Sequence, residues 1–501
     1  MNKQQRPILL IVILALIVGL VGPAALPGIA KTVHAHPLLQ QLAAANPDAL
    51  IAVIVQKAEA SDRAEQLAKS LGGAITRDLR IINAFAAEMT AEAALELAAS
   101  PAVRWVSLDA SLEQAGKPAP APAPVTNNTY LETLGVRNLW NMGVNGTGIG
   151  VAVIDSGITN SLDVPLKRSA TFNPNSMSTQ DYYGHGTHIG GIVAGTGALS
   201  AGKFMGVAPG VNLISLKVCD ETGMAYESDV VAAMQWILGN RTQYNIRVVN
   251  LSLNSTVQQS YHTSPLDAAA EILWFNGFVV VASAGNSSAN TPIDLIKAAP
   301  ANDPFIIVVG ATDEKGTSAY TDDTAADFGA YGVTGEGFIK PDIFAPGANI
   351  ISVLSGQSSW DETAPDRVVD GTYFRLSGTS MAAPMVTGTV ALLLQDEPNL
   401  TPDQVKYRLL KATSRSLARK VGKNTYSIPY LDSYAAITGT TTQSANTGLT
   451  ASQLLWTGSE PITWGSVAWN SVAWNSVAWN SVAWNSVAWN SVAWNSVFWG
   501  P

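Results

Sequence analysis

The chain has 501 residues, of which 47% are hydrophobic and 13% are charged, a composition that excludes disorder throughout and favours a packed globular protein. Its formal net charge is -9 and no stripe of Lys and Arg stands out, so a nucleic-acid partner is not expected. Cys219 is the only cysteine, so no intramolecular disulfide can form and packing must hold the fold.

The N-terminus has the pattern of a secretory signal peptide. Lys3 and Arg6 precede an uncharged apolar run over residues 8–22, and Val33-His34-Ala35 ends in a small residue suited to signal peptidase. A retained membrane anchor is the alternative, but the run is short against the roughly 20 residues that a spanning helix needs. The sequence therefore predicts a signal peptide over residues 1–35 and a secreted or cell-surface protein.

Residues 36–116 alternate between strand and helix patterns. Apolar runs at 50–55, 81–89 and 103–108 predict strands. Alanines and leucines at helical spacing predict two helices between them, the first with Ser61 as its N-cap. This part of the chain is therefore predicted to form a small α+β domain.

Residues 117–124 contain proline at every second position from Pro118 to Pro124. Such a segment lacks half of its amide donors and prefers an extended polyproline conformation. We expect a stiff, exposed spacer at which proteolysis could separate the small domain from the rest, with a passive linker as the alternative.

Residues 125–440 contain apolar runs that recur between helical patterns. The strands are predicted at 149–154, 212–218, 247–253, 278–283 and 305–311. Continuous Val and Ile runs are typical of strands buried on both faces, so we expect a mostly parallel sheet between helices, the α/β class. The last helix should begin at Thr401, with Pro402 at its first position and Gln404 completing a capping box.

Residues 441–501 form a linker and a repeat. From Trp464 to Trp499 a tryptophan recurs every five residues within the unit Ser-Val-Ala-Trp-Asn, a spacing that matches neither helix nor strand. A regular repeating structure and a low-complexity tail both stay open. So many tryptophans would form a large apolar surface if exposed, so they should be packed. They could pack on one another, on the large domain, on a membrane interface or on a cell-envelope partner.

Four polar residues have the types that peptide hydrolysis requires: a nucleophile, a base, a carboxylate that orients the base, and an oxyanion donor. Asp155 follows a predicted strand, and Asn286 follows another, although each is also a common turn residue. His185 precedes a glycine-rich helix; His188 could make a zinc pair with it, but no Glu completes such a motif. Ser380 begins a predicted apolar helix, where a capping serine is the alternative. Pro384 should be tolerated there because the first amides of a helix have no helical partner.

The motifs around these residues resemble the four signature blocks of the subtilisin-like serine proteases, the subtilase family, in the family's order. They are 151–157 (VAVIDSG), 184–188 (GHGTH), 282–286 (ASAGN) and 378–384 (GTSMAAP), with 205–209 (MGVAP) and 340–347 (KPDIFAPG) between them. The resemblance covers about residues 131–436. It implies a subtilisin-like three-layer sandwich around a mostly parallel sheet.

The resemblance also implies the roles of the catalytic residues. Ser380 is expected to attack the carbonyl, His185 to accept and return the proton, and Asp155 to fix the imidazole tautomer. Asn286 is expected to stabilise the oxyanion with the Ser380 amide. An α/β-hydrolase esterase is disfavoured because its elbow would need glycine at Ala382. An inactive subtilase-fold protein that binds a surface is the alternative, and the filled catalytic positions argue against it.

Substrate-binding residues follow from the same resemblance. An extended peptide is expected to pair with strand edges that include Gly223, Ala225 and Tyr226 on one side and Ser252 and Leu253 on the other, with Gly285 close by. Asn254 stands where the family usually has glycine beside the specificity pocket, which leaves pocket size open. No cofactor is needed for this chemistry, and residues 196–204 do not resemble the family's calcium loop, so the metal content is unknown and calcium is not predicted.

The small N-terminal domain resembles the family's propeptide in its pattern. That resemblance implies a folding template and temporary inhibitor that the enzyme removes from itself, whereas an ordinary accessory domain is the alternative. A parallel sheet built from distant contacts folds slowly, which gives a physical reason for a template. The sequence thus predicts an autoprocessed preproenzyme that acts on polypeptides.

Overall fold

The structure, a computed structural model, describes residues 33–114, 127–286 and 296–456. Almost all of the predicted signal peptide, the whole Pro/Ala spacer and the Trp repeats lie outside the described residues, so these features stay predictions. Within the described ranges, no helix is both long and apolar enough to cross a bilayer.

The N-terminal domain (residues 34–114) is built on an antiparallel sheet with the strand order β2-β3-β1-β4. Its helices are α1 (Pro37–Ala45), α2 (Arg63–Ser70) and α3 (Ala91–Ala98). Its strands are β1 (Leu50–Lys57), β2 (Ala74–Leu79), β3 (Ala84–Thr90) and β4 (Val103–Leu108), followed by β5 (Ser111–Gln114), which leaves this sheet. The mixture of helices and an antiparallel sheet is the α+β arrangement expected from the sequence.

Two local predictions in this domain were wrong. Asp62, not Ser61, occupies the N-cap of α2, and the Ser61 hydroxyl donates to the Glu59 carboxylate. The run at 81–89 is not one strand, since a 3₁₀ turn (Arg80–Ile82) and Asn83 in the left-handed region, with φ of 49°, precede β3. Asparagine tolerates that conformation better than most residues, which lets the chain turn into the strand.

The large domain contains the remaining elements. Its helices are α4 (Tyr130–Thr133), α5 (Val136–Asn141), α6 (His185–Ala194), α7 (Glu227–Tyr244), α8 (Pro265–Phe275), α9 (Trp360–Thr363), α10 (Thr379–Asp396), α11 (Pro402–Ala412) and α12 (Ser433–Thr438). Its strands are β6 (Gly150–Asp155), β7 (Leu166–Thr171), β8 (Asn212–Lys217), β9 (Ala225–Tyr226), β10 (Ile246–Leu251), β11 (Leu253–Ser255), β12 (Val279–Ser283), β13 (Ile307–Asp313), β14 (Thr324–Ala325), β15 (Gly332–Val333), β16 (Ile339–Lys340), β17 (Ile343–Pro346), β18 (Ile350–Val353), β19 (Val368–Val369), β20 (Tyr373–Leu376), β21 (Ser416–Val421) and β22 (Asn424–Pro429).

The central sheet confirms the predicted α/β class. Its order is β14-β13-β12-β10-β6-β8-β7, with β17 also paired to β13, and every pair except β13–β14 is parallel. Every residue of β6 and β12 is buried, as expected for strands covered on both faces. The predicted strand at 247–253 is in fact two strands, because the chain leaves the sheet after Leu251 and starts β11 at Leu253.

Two pairs of helices pack on this sheet as separate layers. Helix α6 packs on α10, and α10 crosses β10, β12 and β13, whereas α7 packs on α8 and against β10 and β6, and α8 packs against β12. The predicted capping box at the start of α11 is confirmed, since the Thr401 hydroxyl accepts from the Gln404 amide and the Gln404 side chain accepts from the Thr401 amide. The helical layers bring the N-termini of α6 and α10 to the carboxyl edge of the sheet, where β6 ends at Asp155.

Candidate active site

Asp155 and His185 form a buried hydrogen-bonded pair. Asp155 is the last residue of β6 and His185 the first residue of α6, and Nδ1 of the imidazole lies 2.8 Å from Oδ1 of the carboxylate. Both side chains are fully buried, and the Ser156 amide donates to the same carboxylate oxygen over 2.7 Å. This bond uses one imidazole nitrogen, and Nε2 has no hydrogen-bond partner among the described residues.

Asp181 holds the start of the histidine helix. Its Oδ2 accepts from both the amide and the hydroxyl of Thr187 over 2.7 Å, and its Oδ1 accepts from the Gly184 amide and the Ser156 hydroxyl. Burial raises the pKa of this carboxyl, and the hydrogen bonds oppose that shift. Asp181 therefore ties Ser156, the residue after Asp155, to the first turn of α6. This link fixes the distance between Asp155 and His185.

Ser380 lies in the first turn of α10, after Gly378 as the N-cap. The residue is fully buried, and its hydroxyl donates to the Ser252 carbonyl over 3.3 Å. The described structure therefore shows no hydrogen bond from Ser380 to His185 Nε2. Catalytic hydrogen bonds are often absent or long without substrate, and the hydroxyl would have to rotate about its Cα–Cβ bond to make this one.

Pro384 is tolerated for a different reason from the one predicted. It is the sixth residue of α10, beyond the amides that lack helical partners, so it deprives the Ser380 carbonyl of its usual donor. The Ser252 hydroxyl donates to that carbonyl over 3.2 Å and replaces the missing amide. Ser252 is itself held by Asn250 Nδ2 at 3.0 Å, and Asn250 Oδ1 accepts from the Thr387 hydroxyl.

The Asn286 side chain is oriented by the residue that precedes the serine. Its Oδ1 accepts from the amide and the hydroxyl of Thr379, each over 3.0 Å. The Thr379 hydroxyl in turn accepts from the Gly285 amide over 3.2 Å. With Oδ1 held in this way, the amide nitrogen is the end of the Asn286 side chain that can donate to an oxyanion beside Ser380.

Strand β5 of the N-terminal domain lies between the two strand edges predicted to bind substrate. It pairs antiparallel with β9, which contains Ala225 and Tyr226, and antiparallel with β11, which begins at Leu253. Gly223 adopts a φ of 87° in the turn before β9, and a Cβ there would lie 2.7 Å from the Tyr183 ring. The register places Ser111 opposite Tyr226, Leu112 opposite Ala225 and Ser255, Glu113 opposite Asn254, and Gln114 opposite Leu253.

Asn254 joins the substrate-pairing strand to the end of β12. Its Nδ2 donates to the Ser283 carbonyl over 3.1 Å, and its Oδ1 accepts from the Ser283 hydroxyl over 3.2 Å. Gly285, with a φ of 91°, lies beside it, and a Cβ built on Gly285 would be 3.6 Å from Asn254 Oδ1. The departure from the family pattern therefore fills space between these two segments.

His188 is a buried residue of the core. Its Nε2 is 2.9 Å from the Phe374 carbonyl, and its own carbonyl accepts from the Ser352 hydroxyl. Burial lowers the pKa of His188 to about 3, so its ring is neutral. Among the described residues, no group of three His, Cys, Asp or Glu side chains is arranged to hold a metal ion.

Sequence reasoning identified the buried pair, the serine and the asparagine, and the fold brings all of them to one edge of the sheet. It missed Asp181 and Thr379. The position of Asp181 just before a glycine-rich helix start was the available signal, because carboxylates favour helix N-termini. Thr379 lies within the 378–384 motif, but the motif alone did not indicate that its hydroxyl orients Asn286.

A mostly parallel sheet with an Asp–His pair at its carboxyl edge and a serine at a helix N-terminus defines the architecture of a subtilisin-type hydrolase. Residues 146–447 match the profile described as the subtilase family, which is more than half of the chain. The chain therefore belongs to the subtilase family.

The comparisons with individual proteins agree with this family. The chain is 38% identical to serine protease AprX of Bacillus subtilis (strain 168) over 283 residues, which cover 54% of this chain and 62% of AprX. It is 33% identical to subtilisin Savinase of Lederbergia lenta over 277 residues, covering 55% of this chain and 87% of Savinase.

Two further comparisons extend over more of the chain. Subtilisin E of Bacillus subtilis (strain 168) is 29% identical over 354 residues, covering 70% of this chain and 81% of subtilisin E. The crystal structure of fervidolysin from Fervidobacterium pennivorans, a keratinolytic enzyme related to subtilisin, matches the fold with a TM-score of 0.60 and 24% identity, covering 80% of this chain and 62% of fervidolysin. The chain thus spans 62% of the length of AprX and of fervidolysin.

Proposed function

We propose that this chain is a serine endopeptidase that hydrolyses peptide bonds through an acyl-enzyme on Ser380. The observation that carries the proposal is the buried 2.8 Å bond between His185 and Asp155, which leaves Nε2 as the proton acceptor. A buried imidazole held by a carboxylate in one tautomer is suited to general-base catalysis.

The reaction follows from the positions of these groups. As Ser380 Oγ bonds to the substrate carbonyl carbon, His185 Nε2 takes the hydroxyl proton and Asp155 stabilises the imidazolium. The negative oxygen is stabilised by the Ser380 amide and Asn286 Nδ2 at the positive end of α10. His185 then gives the proton to the leaving amine as the C–N bond breaks. Water hydrolyses the ester by the same steps, with His185 again as base.

The substrate is proposed to be a polypeptide in extended conformation. Strands β9 and β11 offer free edges when β5 leaves, and a peptide that adds a strand there gains main-chain hydrogen bonds whatever its sequence. If a bound strand continued this register by one residue beyond Gln114, its next residue would lie opposite Ser252, whose carbonyl accepts from Ser380. We therefore propose that the bond after position 115 is the one aligned with the nucleophile.

The same register assigns Asn254 a part in specificity. Residues directly opposite each other in an antiparallel ladder point to the same face, and every second residue shares that face. A side chain at position 115 would therefore share a face with Glu113 and Asn254. Because Asn254 is tied to Ser283 there, we propose a preference for a small residue before the scissile bond, such as Ala115 of this chain.

We further propose that the protein is made as a secreted preproenzyme whose N-terminal domain is an inhibitor. Support comes from the position of β5 between β9 and β11, which we call the cleft, and from polar contacts beside β5. Asp109 accepts from the amide and hydroxyl of Ser228 at the start of α7, over 2.9 and 2.7 Å. Arg77 forms an ion pair with Asp229 over 2.7 Å. The proposed maturation cut is between Ala115 and Gly116, after which the Pro/Ala spacer begins the mature chain.

Labelling and mass spectrometry test both parts of this proposal. A fluorophosphonate should label the mature protein and should not label Ser380→Ala. The intact mass of the secreted wild type should correspond to an N-terminus at Gly116, whereas Ser380→Ala should stay uncut. Absence of labelling in correctly folded wild type would reject the enzyme and favour the inactive surface-binding protein, and a different N-terminus would reject only the register.

A further inference from the structure

The segment that follows the large domain, residues 449–456, crosses that domain and is named here the C-terminal strap. The Thr450 carbonyl accepts from the Tyr261 hydroxyl over 2.6 Å, and the Gln453 amide donates to the His262 carbonyl over 2.9 Å. The Ser452 amide donates to the buried Glu271 carboxylate over 2.7 Å. These bonds fix the strap on the loop before α8 and on α8 itself.

The end of the strap also bonds the N-terminal domain. Gln56 of β1 donates from Nε2 to the Leu454 carbonyl over 2.5 Å, and Arg104 of β4 donates from Nη1 to the Leu455 carbonyl over 3.2 Å. Gln56 is only 1% exposed, and burial lowers the pKa of Arg104 to about 10. Gln56 thus lies in a buried junction between the strap and the N-terminal domain, and Arg104 is partly buried beside it.

Apolar burial at this junction is nearly complete. Leu454, Leu455 and Trp456 are 2%, 0% and 4% exposed, and Trp105 of β4 packs against the same core. Gln453, which precedes Leu454, is exposed, so the last three side chains of the strap face inward and the Gln453 side chain faces solvent. Departure of the N-terminal domain would remove both donors from the strap carbonyls.

We propose that the C-terminal strap is part of the surface that binds the inhibitory N-terminal domain, so that this domain is held at the cleft and at the strap. This inference rests on the proposed function. Cutting after Ala115 removes the covalent link but leaves the strap contacts intact. The strap contacts therefore prolong the time for which the cut domain stays bound and inhibits.

The test compares cleavage with activation in the full chain. Leu455→Asp places a charge in the buried junction. Gln453→Asp is the matched control because it introduces the same charged residue at an exposed position of the same strap. Cleavage is followed by gel electrophoresis and activity with a fluorogenic peptide. Leu455→Asp should shorten the interval between cleavage and activity at least about tenfold, since burying an unpaired charge opposes binding strongly. Gln453→Asp should leave the interval unchanged.

A second pair of variants excludes damage to the enzyme itself. Gln56→Ala and Arg104→Ala change only the domain that is removed, so the mature enzyme is identical to the wild type. Each should shorten the interval on the order of fivefold by removing one hydrogen bond to the strap. Gln56→Ala also removes the bond from Gln56 Nε2 to the Ile82 carbonyl inside the domain, so Arg104→Ala is the comparison that keeps this bond. An interval unchanged in Leu455→Asp and in both of these variants would overturn the strap proposal.

Failure of the proposed function has a different signature, because the wild type would then never be cut. In that case, amide hydrogen exchange in the Ser380→Ala background measures the contact between the strap and the N-terminal domain. Leu455→Asp should raise exchange in β1 and β4 together with the strap, and Gln453→Asp should not. Unchanged protection of β1 and β4 in Leu455→Asp would reject the strap contact whatever the catalytic outcome.

Discussion

Removing the Thr379 hydroxyl should reduce turnover without weakening substrate binding. In Thr379→Val the Asn286 carboxamide keeps one of its two donors on Oδ1, the Thr379 amide, and loses the hydroxyl at 3.0 Å. The Gly285 amide, 3.2 Å from the same hydroxyl, loses its acceptor in a fully buried position. Valine has nearly the shape of threonine, so packing around α10 should be preserved.

The size of the effect follows from these contacts. The hydrogen bond from the Thr379 hydroxyl to Asn286 contributes about 1 kcal/mol. The buried Gly285 amide also loses its acceptor, and the poorer positioning that follows raises the total to about 2 kcal/mol. If that energy is lost from the transition state, kcat falls about 5- to 30-fold. The loss should be smaller than for removal of the whole Asn286 side chain, which is the donor itself.

Steady-state kinetics on a peptide substrate measure the effect, with Thr379→Ser as the control because it keeps the hydroxyl. We expect kcat to fall in Thr379→Val with KM nearly constant, and Thr379→Ser to restore most of the rate. Urea unfolding of each variant separates this result from a loss of stability. Equal kcat values for the Val and Ser variants, or a change confined to KM, would refute the positioning role.

Asn286→Ala should lower kcat by about 10²- to 10³-fold with little change in KM, because one oxyanion donor is removed; unchanged turnover in steady-state assays would exclude the residue from that role. Asn254→Gly should open the pocket, so the ratio of kcat/KM for a peptide with a large residue before the scissile bond to kcat/KM for the matching alanine peptide should rise about tenfold. An unaltered ratio in this pair of peptides would contradict the proposed register. Burial and then nearby Asp109 raise the pKa of Glu227 to about 8, partly offset by a hydrogen bond from Ser255, against an ordinary value of 4.5. The folded protein thus favours the protonated form, so this group stabilises it most below pH 4.5, and that contribution disappears as pH rises to about 8. In the uncut Ser380→Ala chain, Glu227→Gln should remove a slope of up to about 1.4 kcal/mol per pH unit in urea unfolding across this range, and equal slopes in both chains would reject the assignment.

The sequence predicted those parts of the fold that depend on local pattern. Continuous apolar runs identified β6, β8 and β12, and the capping box located the start of α11, because burial on both faces and helix capping are encoded in neighbouring residues. The proposed catalytic residues were identifiable for a similar reason, since Asp155, His185 and Ser380 each lie in a short motif that resembles a known family.

Features that depend on distant contacts could not be predicted in this way. Ser252 lies between β10 and β11 and supplies the donor that Pro384 removes from the Ser380 carbonyl, a relation across 128 positions. The strap lies within residues 441–501, which the sequence predicts to be a linker and a repeat tail. Its bond to Gln56 spans 398 positions, and nothing near either residue in the chain indicates it. In each case the partner is defined by packing of the whole molecule.

The pairing of β5 with β9 and β11 has a kinetic consequence. Because all three strands belong to one polypeptide, occupancy of the cleft depends on the length of the tether and not on the amount of protein present. Dilution therefore cannot empty the cleft of an uncut chain, and the proposed self-cleavage should be first order at any expression level. Every later encounter with a foreign polypeptide is bimolecular and depends on its abundance.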